Sequence, residues 1–341
     1  MFDSIDITIA TVECLITVTS IAGNLLVCFV IIKNRDMRTP FNYLLVNLAV
    51  ADIIYPTFLL IYDTYNHSLR TPAEMPGNAI CLSLRKLAWI GADSSVFTLI
   101  AIARERFFTV VHPHSIQRKL TWQKLKVIIP GTWILSALVN IRGFVMQSFK
   151  RKVAVKSCTH LWLDAKELQK AYRLTMVIFV SISSLLIIGY YLFVVYTLWC
   201  KRDDQKEKPF HQQGVLKVRK RVTLMVLTVT TLFEICWISD TVIHVLKDFG
   251  LCPISGIAFP ITHTTIAFNS AVNPFAYALI NQRFREKMKG MLCNGSCAIE
   301  RNVNADHQGT AFQQTATSTC THSREELGLT EMRPTREIRQ I

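Results

Sequence analysis

Asp52 is the one charge in the stretch "VNLAVADIIYP", and Asn24, Ser95, Asn269, Ser270 and Asn273 recur at comparable depth in other apolar stretches. One carboxylate with several neutral oxygen donors is what a monovalent cation such as sodium needs in order to shed part of its water. A hydrogen-bonded, water-filled network without an ion uses the same groups, and the residue types leave both open. A second constellation, Arg104, Glu105 and Arg106, closes the helix-length apolar run "LAWIGADSSVFTLIAIA" and is followed by Phe107 and Phe108. Such a charge cluster marks a boundary between media, and whether Arg106 does more depends on what surrounds it. Cys, His and Glu are scattered without metal-ligand spacing and no nucleophile, acid and base stand together, so an enzyme is not expected.

The elements that must position these residues follow from composition. The 341 residues are half hydrophobic and only 18% charged, with a mean hydropathy of +0.29, oilier than a soluble surface tolerates. Seven apolar stretches, roughly 9–32, 41–62, 82–103, 124–146, 173–199, 222–246 and 255–280, each match the length of about twenty residues that a helix needs to cross hydrocarbon. Apolar nearly all round and without ten-residue alternation, they predict an all-α, seven-transmembrane helix bundle and not a membrane β-barrel. The first ten residues hold Asp3 and Asp6 and no basic residue, so no cleaved signal peptide is expected. Lys33, Arg35 and Arg38, then Arg118, Lys119, Lys124 and Lys126, then the dense segment from Lys201 to Arg221 follow alternate stretches. Basic loops on one side place the N-terminus outside and the C-terminus in the cytosol, and they account for the +14 net charge without nucleic acid. The expected outer loop 147–171 is also basic, which either reflects a rule that is only a bias or attracts an acidic ligand. Cys81 and Cys158 face the oxidising side and are the pair expected to bridge, and Asn66 opens a glycosylation sequon on that side.

Several motifs then occur in order: "GNLLV" at Gly23 and Asn24, "NLAVAD" ending in Asp52, Cys81, "ERF" at Glu105 to Phe107, Trp133, "FEICW" ending in Trp237, and "NPFAY" from Asn273 to Tyr277. The ordered set resembles a rhodopsin-like, or class A, G-protein-coupled receptor along nearly the whole chain. The resemblance implies that Arg106, held by Glu105 at rest, is released to a heterotrimeric G protein when the sixth helix swings outward. It implies a packing switch in Phe233 and Trp237, and a further one in Asn273, Pro274 and Tyr277. This chain departs from the family in having Ser239 and Ser183 where proline is usual, and Arg219 where some members carry an acidic lock for Arg106.

The ligand must be read from the outer half of the bundle. Ala88 and Ala267 stand where an aminergic aspartate and a retinal lysine would be, so neither ligand class is expected. Trp89, Asp93, Arg142, Gln147, Trp237, Asp240, His244 and His263 form instead a polar and aromatic set that suits a peptide, and the general pattern resembles neuropeptide receptors. For Asp93, Glu234 and Asp240, pairing with a helix neighbour competes with ligand binding. The chain therefore reads as an extracellular segment 1–8, a seven-helix domain 9–280, an amphipathic helix 281–293 on the anionic lipid surface, and a polar tail 294–341. Cys293 and Cys297 are candidate palmitoylation sites, and "TATSTCTHS" offers phosphorylation sites to a receptor kinase and to arrestin. The expected function is a plasma-membrane receptor turning a neuropeptide signal into G-protein activation, and the alternative is an orphan or constitutively active seven-helix protein. A transporter would carry internal repeats, which are not seen.

Overall fold

A polypeptide crossing hydrocarbon has to satisfy its own backbone, and this chain does so with long helices. The computed structural model describes residues 4–68, 77–113, 115, 119–149, 166–200, 210–250, 253, 257–280, 282 and 284–291. Among them seven long α-helices follow one another: α1 (Ser4–Lys33), α2 (Pro40–Ser68), α3 (Gly77–Val111), α4 (Trp122–Phe149), α5 (Lys166–Val195), α6 (Phe210–Asp248) and α7 (Ala258–Ile280). A 3-10 turn, Arg35–Met37, links α1 to α2, and a π-helical segment, Tyr196–Cys200, follows α5. Residues 284–291 are also helical. The chain divides into a unit Met1–Lys287, which holds the bundle, and a unit Met288–Ile341, of which residues 288–291 are described.

The helices α1 to α6 are each long and apolar enough to span a membrane. Helix α7 is diluted by His263, Asn269 and Asn273, the polar residues it brings to the interior. Several helices overrun their oily stretches. α1 begins at Ser4, so most of the segment expected as an N-terminal tail is helical, and α3 continues unbroken through Arg104–Arg106 to Val111. A helix keeps its own hydrogen bonds whatever the medium, and long basic side chains can reach for the polar interface, so lipid thickness need not end it.

Each peripheral helix shows one face inward. On α5 the buried residues are Val180, Ser183, Ile187, Tyr191 and Val194, a single stripe at helical spacing, while Leu185 and Leu192 are 71% and 65% exposed. Large apolar side chains so open to the surroundings are expected against lipid and costly against water. α3 is the central post, packed against α2, α4, α5 and α6, and its run from Gly91 to Val96 is wholly buried. Two glycines set how close the helices come. A Cβ on Gly91 would lie 2.9 Å from Ile54 Cγ2 and 3.1 Å from the Tyr55 backbone nitrogen, and one on Gly23 would lie 2.8 Å from Pro274 Cγ. α2 thus approaches α3, and α1 approaches α7, at distances only a hydrogen side chain permits.

Candidate functional site

The polar residues singled out by type fall into layers along the bundle. In the middle layer Asp52 is 1% exposed. Its Oδ1 accepts the Ser95 hydroxyl at 3.1 Å and its Oδ2 accepts the Asn273 side-chain amide at 2.6 Å. Ser20 donates to the Asp52 carbonyl at 2.8 Å, and Asn24 donates to the Ser20 and Ser270 carbonyls, each at 3.0 Å. α1, α2, α3 and α7 therefore meet through one network. Two of its acceptors, Asn24 Oδ1 and Asn273 Oδ1, are buried without a hydrogen-bond donor, as is Asn269 Oδ1 on α7. Buried acceptors without donors are the groups that a cation or a water satisfies.

A neighbouring network joins α2, α3 and α4. Trp133 Nε1 donates to Asn47 Oδ1 at 2.9 Å, while Asn47 Nδ2 donates to Thr98 Oγ1 at 2.8 Å and Thr132 Oγ1 at 3.3 Å. Asn47 was not singled out in the sequence, although it is the first residue of the quoted "NLAVAD".

Toward the C-terminal end of α6, aromatic and titratable side chains converge. The Trp89 ring lies 6.0 Å from Trp237, 5.4 Å from His263 and 5.9 Å from Tyr55. Trp237 also meets Phe233, at 5.4 Å. Asp240 faces three partners: Thr262 Oγ1 donates to its Oδ1 at 2.7 Å, His244 Nδ1 lies 3.4 Å from its Oδ2, and His263 Nε2 lies 3.8 Å from its Oδ1. The His244 and His263 rings stack at 6.0 Å, and Phe259 meets His244 edge-on at 4.8 Å. Trp89, Trp237, Asp240, His244 and His263 thus belong to one site, with Tyr55, Phe259 and Thr262 added to the expected set.

Asp93 takes the alternative of pairing with a neighbouring helix: it is buried and its Oδ2 accepts the Asn140 amide at 2.7 Å, bracing α3 against α4. Glu234 likewise accepts the Ser184 hydroxyl from α5. Arg142 and Gln147 lie in α4, but their side chains are outside the described residues, as are the side chains of Cys81 and Asn66. Cys158, Cys293 and Cys297 lie wholly outside them, so the bridge and the lipid sites have no geometry here. Asn66 itself falls in the last turns of α2, not in a loop. The expectation that no metal-ligand spacing exists is also corrected, since Asp240 and His244 stand four apart on α6 and His263 joins them from α7. The four-residue spacing was legible, but the third member comes from another helix and needed the packing.

Near the far end of α3, Arg106 and Trp89 are separated by 17 positions, about 25 Å along the helix axis. Arg106 is buried, and its guanidinium lies 3.8 Å from the Phe41 ring centre. Glu105, expected to hold it, is engaged elsewhere: its Oε1 accepts the Thr109 hydroxyl at 2.9 Å and its Oε2 accepts the Leu120 N–H at 3.0 Å. The carboxylate fastens the connection before α4 while still acting electrostatically on Arg106, and the Phe41 face lies beside the guanidinium. Tyr277 is buried and packs edge-on to Phe284 at 6.5 Å, while Pro274 closes against Gly23. Ser239, at the position of the missing proline, bonds back to the Ile235 carbonyl at 2.7 Å on an exposed face, and α6 runs through it as one helix.

With this geometry in hand, similarity to known proteins becomes informative. Residues 23–277 match the family described as 7 transmembrane receptor (rhodopsin family). The chain is 31% identical over 294 residues to neuropeptide FF receptor 1 of Rattus norvegicus, covering 80% of this chain and 67% of that one. It is 25% identical over 291 residues to the tachykinin-like peptides receptor 86C of Drosophila melanogaster, covering 80% and 56%. Against somatostatin receptor type 4 of Rattus norvegicus it is 25% identical over 319 residues, covering 91% and 79%. The chain spans about two thirds of the length of the neuropeptide FF receptors it matches.

Proposed function

The chain belongs to the rhodopsin family of seven-transmembrane receptors, and from that premise we propose that it is a plasma-membrane receptor for an extracellular peptide, coupled to a heterotrimeric G protein. As a member of that family it is a multi-pass membrane protein and a receptor, not an enzyme. The observation that carries the peptide reading is the cluster of Trp89, Trp237, Asp240, His244 and His263. It offers one acid, two imidazoles and two indoles on three helices, at the end of the bundle opposite Arg106. A peptide supplies both the apolar area and the polar groups that such a lining can pair. The relatives' names point the same way, since they are receptors for neuropeptide FF, tachykinin-like peptides and somatostatin.

In this reading the N-terminus is outside and the basic connections lie in the cytosol. A ligand that binds better when α6 is displaced shifts the population toward that arrangement, and Trp237 and Phe233 carry the displacement down α6. Arg106 exchanges the Phe41 face for an acceptor on the G protein. Asn273, Pro274 and Tyr277 take part because α7 packs on α6 and its Asn273 already holds Asp52. A sodium ion would be held in the middle layer by Asp52, with Ser95, Asn24, Asn269, Ser270 and Asn273 as the candidate oxygen donors, and the donorless amide oxygens of Asn24, Asn269 and Asn273 support this reading. When bound it neutralises the Asp52 charge in the interior. A receptor kinase and arrestin at the tail, and the lipid surface along residues 284–291, complete the partner set.

The test is second-messenger output in cells expressing the chain and an Arg106→Ala variant at equal surface level, first without ligand and then across a library of short amidated and acidic peptides. A peptide response lost in the variant is the expected result, and no response to any peptide from a well-expressed wild type would count against the reading. High output without peptide would favour the constitutive alternative.

A further inference from the structure

We propose that Asp240, His244 and His263 form a zinc-binding site that ties α6 to α7. One ligand atom from each residue can be chosen so that all three lie within 4.8 Å of one another. A tetrahedral zinc with bonds near 2.1 Å holds neighbouring ligand atoms about 3.4 Å apart. Each imidazole stands near that distance from one oxygen of the carboxylate, His244 Nδ1 at 3.4 Å from Asp240 Oδ2 and His263 Nε2 at 3.8 Å from Asp240 Oδ1. Side-chain rotation would bring a single carboxylate oxygen and both imidazoles to one ion. The donor set is two imidazoles and one carboxylate, which zinc accepts and which calcium and magnesium, seeking six or more oxygens, do not.

The surroundings are built as metal sites are. The Asp240 carboxylate is already oriented by the Thr262 hydroxyl at 2.7 Å. His244 Nδ1 also lies 3.0 Å from the Asp240 carbonyl, a contact it would give up in turning its lone pair to zinc. Phe259 and Trp89 pack against the two imidazoles and restrict their rotation. The side chains keep 8–12% exposure, enough for a small ion to reach them. Three protein ligands leave a fourth position open, to water or to a donor atom of a bound ligand. Since α6 supplies two ligands and α7 one, the ion fixes the separation of the two helices at that end. A shift of agonist response by zinc rests on the receptor reading above, whereas the binding itself does not.

The experiment is calorimetric titration of the purified full chain in lipid nanodiscs with zinc chloride alone, repeated with cobalt chloride to read the visible band of a tetrahedral site. The chain is expected to take up one zinc, and His244→Ala, His263→Ala and Asp240→Asn each to weaken that binding at least about tenfold. His263→Cys, which replaces one zinc ligand by another, is expected to retain binding and the tetrahedral cobalt spectrum. Wild type that takes up no zinc overturns the proposal, as does equal zinc affinity in wild type and all three variants. Should an alanine variant fail to fold, the cysteine variant decides: a thiolate-to-cobalt charge-transfer band supports the site, and its absence from folded protein overturns it.

Discussion

Single side chains in this bundle differ in how much depends on them. Asn47 serves three partners on two other helices, while Trp133 contributes one hydrogen bond from its indole nitrogen. Trp133→Phe leaves one buried oxygen unsatisfied and is expected to cost about 1 kcal/mol, and Asn47→Leu, which orphans several groups, about 2–3 kcal/mol, both read by thermal unfolding in detergent. Asp52 offers a sharper test. Exchanging sodium for N-methylglucamine is expected to lower the melting temperature of the wild type and to leave Asp52→Asn unmoved, because only the carboxylate gives the ion a counter-charge. An equal response in both would place the ion elsewhere. That Asp52 mattered was legible from one charge in an oily run. That Asp93, equally charged and equally buried, is held by Asn140 was not, because the partner is 47 positions away on another helix.

At the scale of elements, helix spacing is set where side chains vanish. Gly91 faces backbone atoms of α2 as well as Ile54, and Gly23 faces the Pro274 ring, which is tied to its own backbone, so neither neighbour can yield by rotating away. Gly91→Ala and Gly23→Ala are therefore each expected to destabilise by about 1–3 kcal/mol, with both lowering surface expression. Gly131 has nothing within 4 Å of an added Cβ, so Gly131→Ala should be neutral or stabilise by up to about 1 kcal/mol. Flow cytometry of the three variants, with a thermal melt, checks the order. The expected stretches 41–62 and 82–103 ended too early, short of Ser68 and Val111, since hydropathy marks where lipid stops and not where hydrogen bonding stops. The charges of Arg104–Arg106 looked like a terminus, yet α3 runs through them.

Among the described residues of the bundle, polar networks are set within an apolar interior, and large apolar side chains also face outward. Leu48 is 1% exposed and Leu185 is 71% exposed. Leu48→Ala is expected to cost about 2–5 kcal/mol through the cavity it leaves, whereas Leu185→Ala leaves a gap that lipid chains fill and should change the melting temperature little. A comparable loss at both positions would mean that the α5 face is covered by protein. The seven apolar runs, the sidedness of lysine and arginine and the ordered motifs were determined by sequence alone, because bilayer thickness and helix rise permit few other arrangements. Which polar residues meet was decided only by tertiary packing. Asp240 and His244 share a face by helical periodicity, but His263 arrives from α7, and Glu105 gains the Leu120 N–H because the chain folds back there. Hydrogen bonds and coordination act over about 3 Å, and residues far apart in sequence come within that range only once the helices have packed.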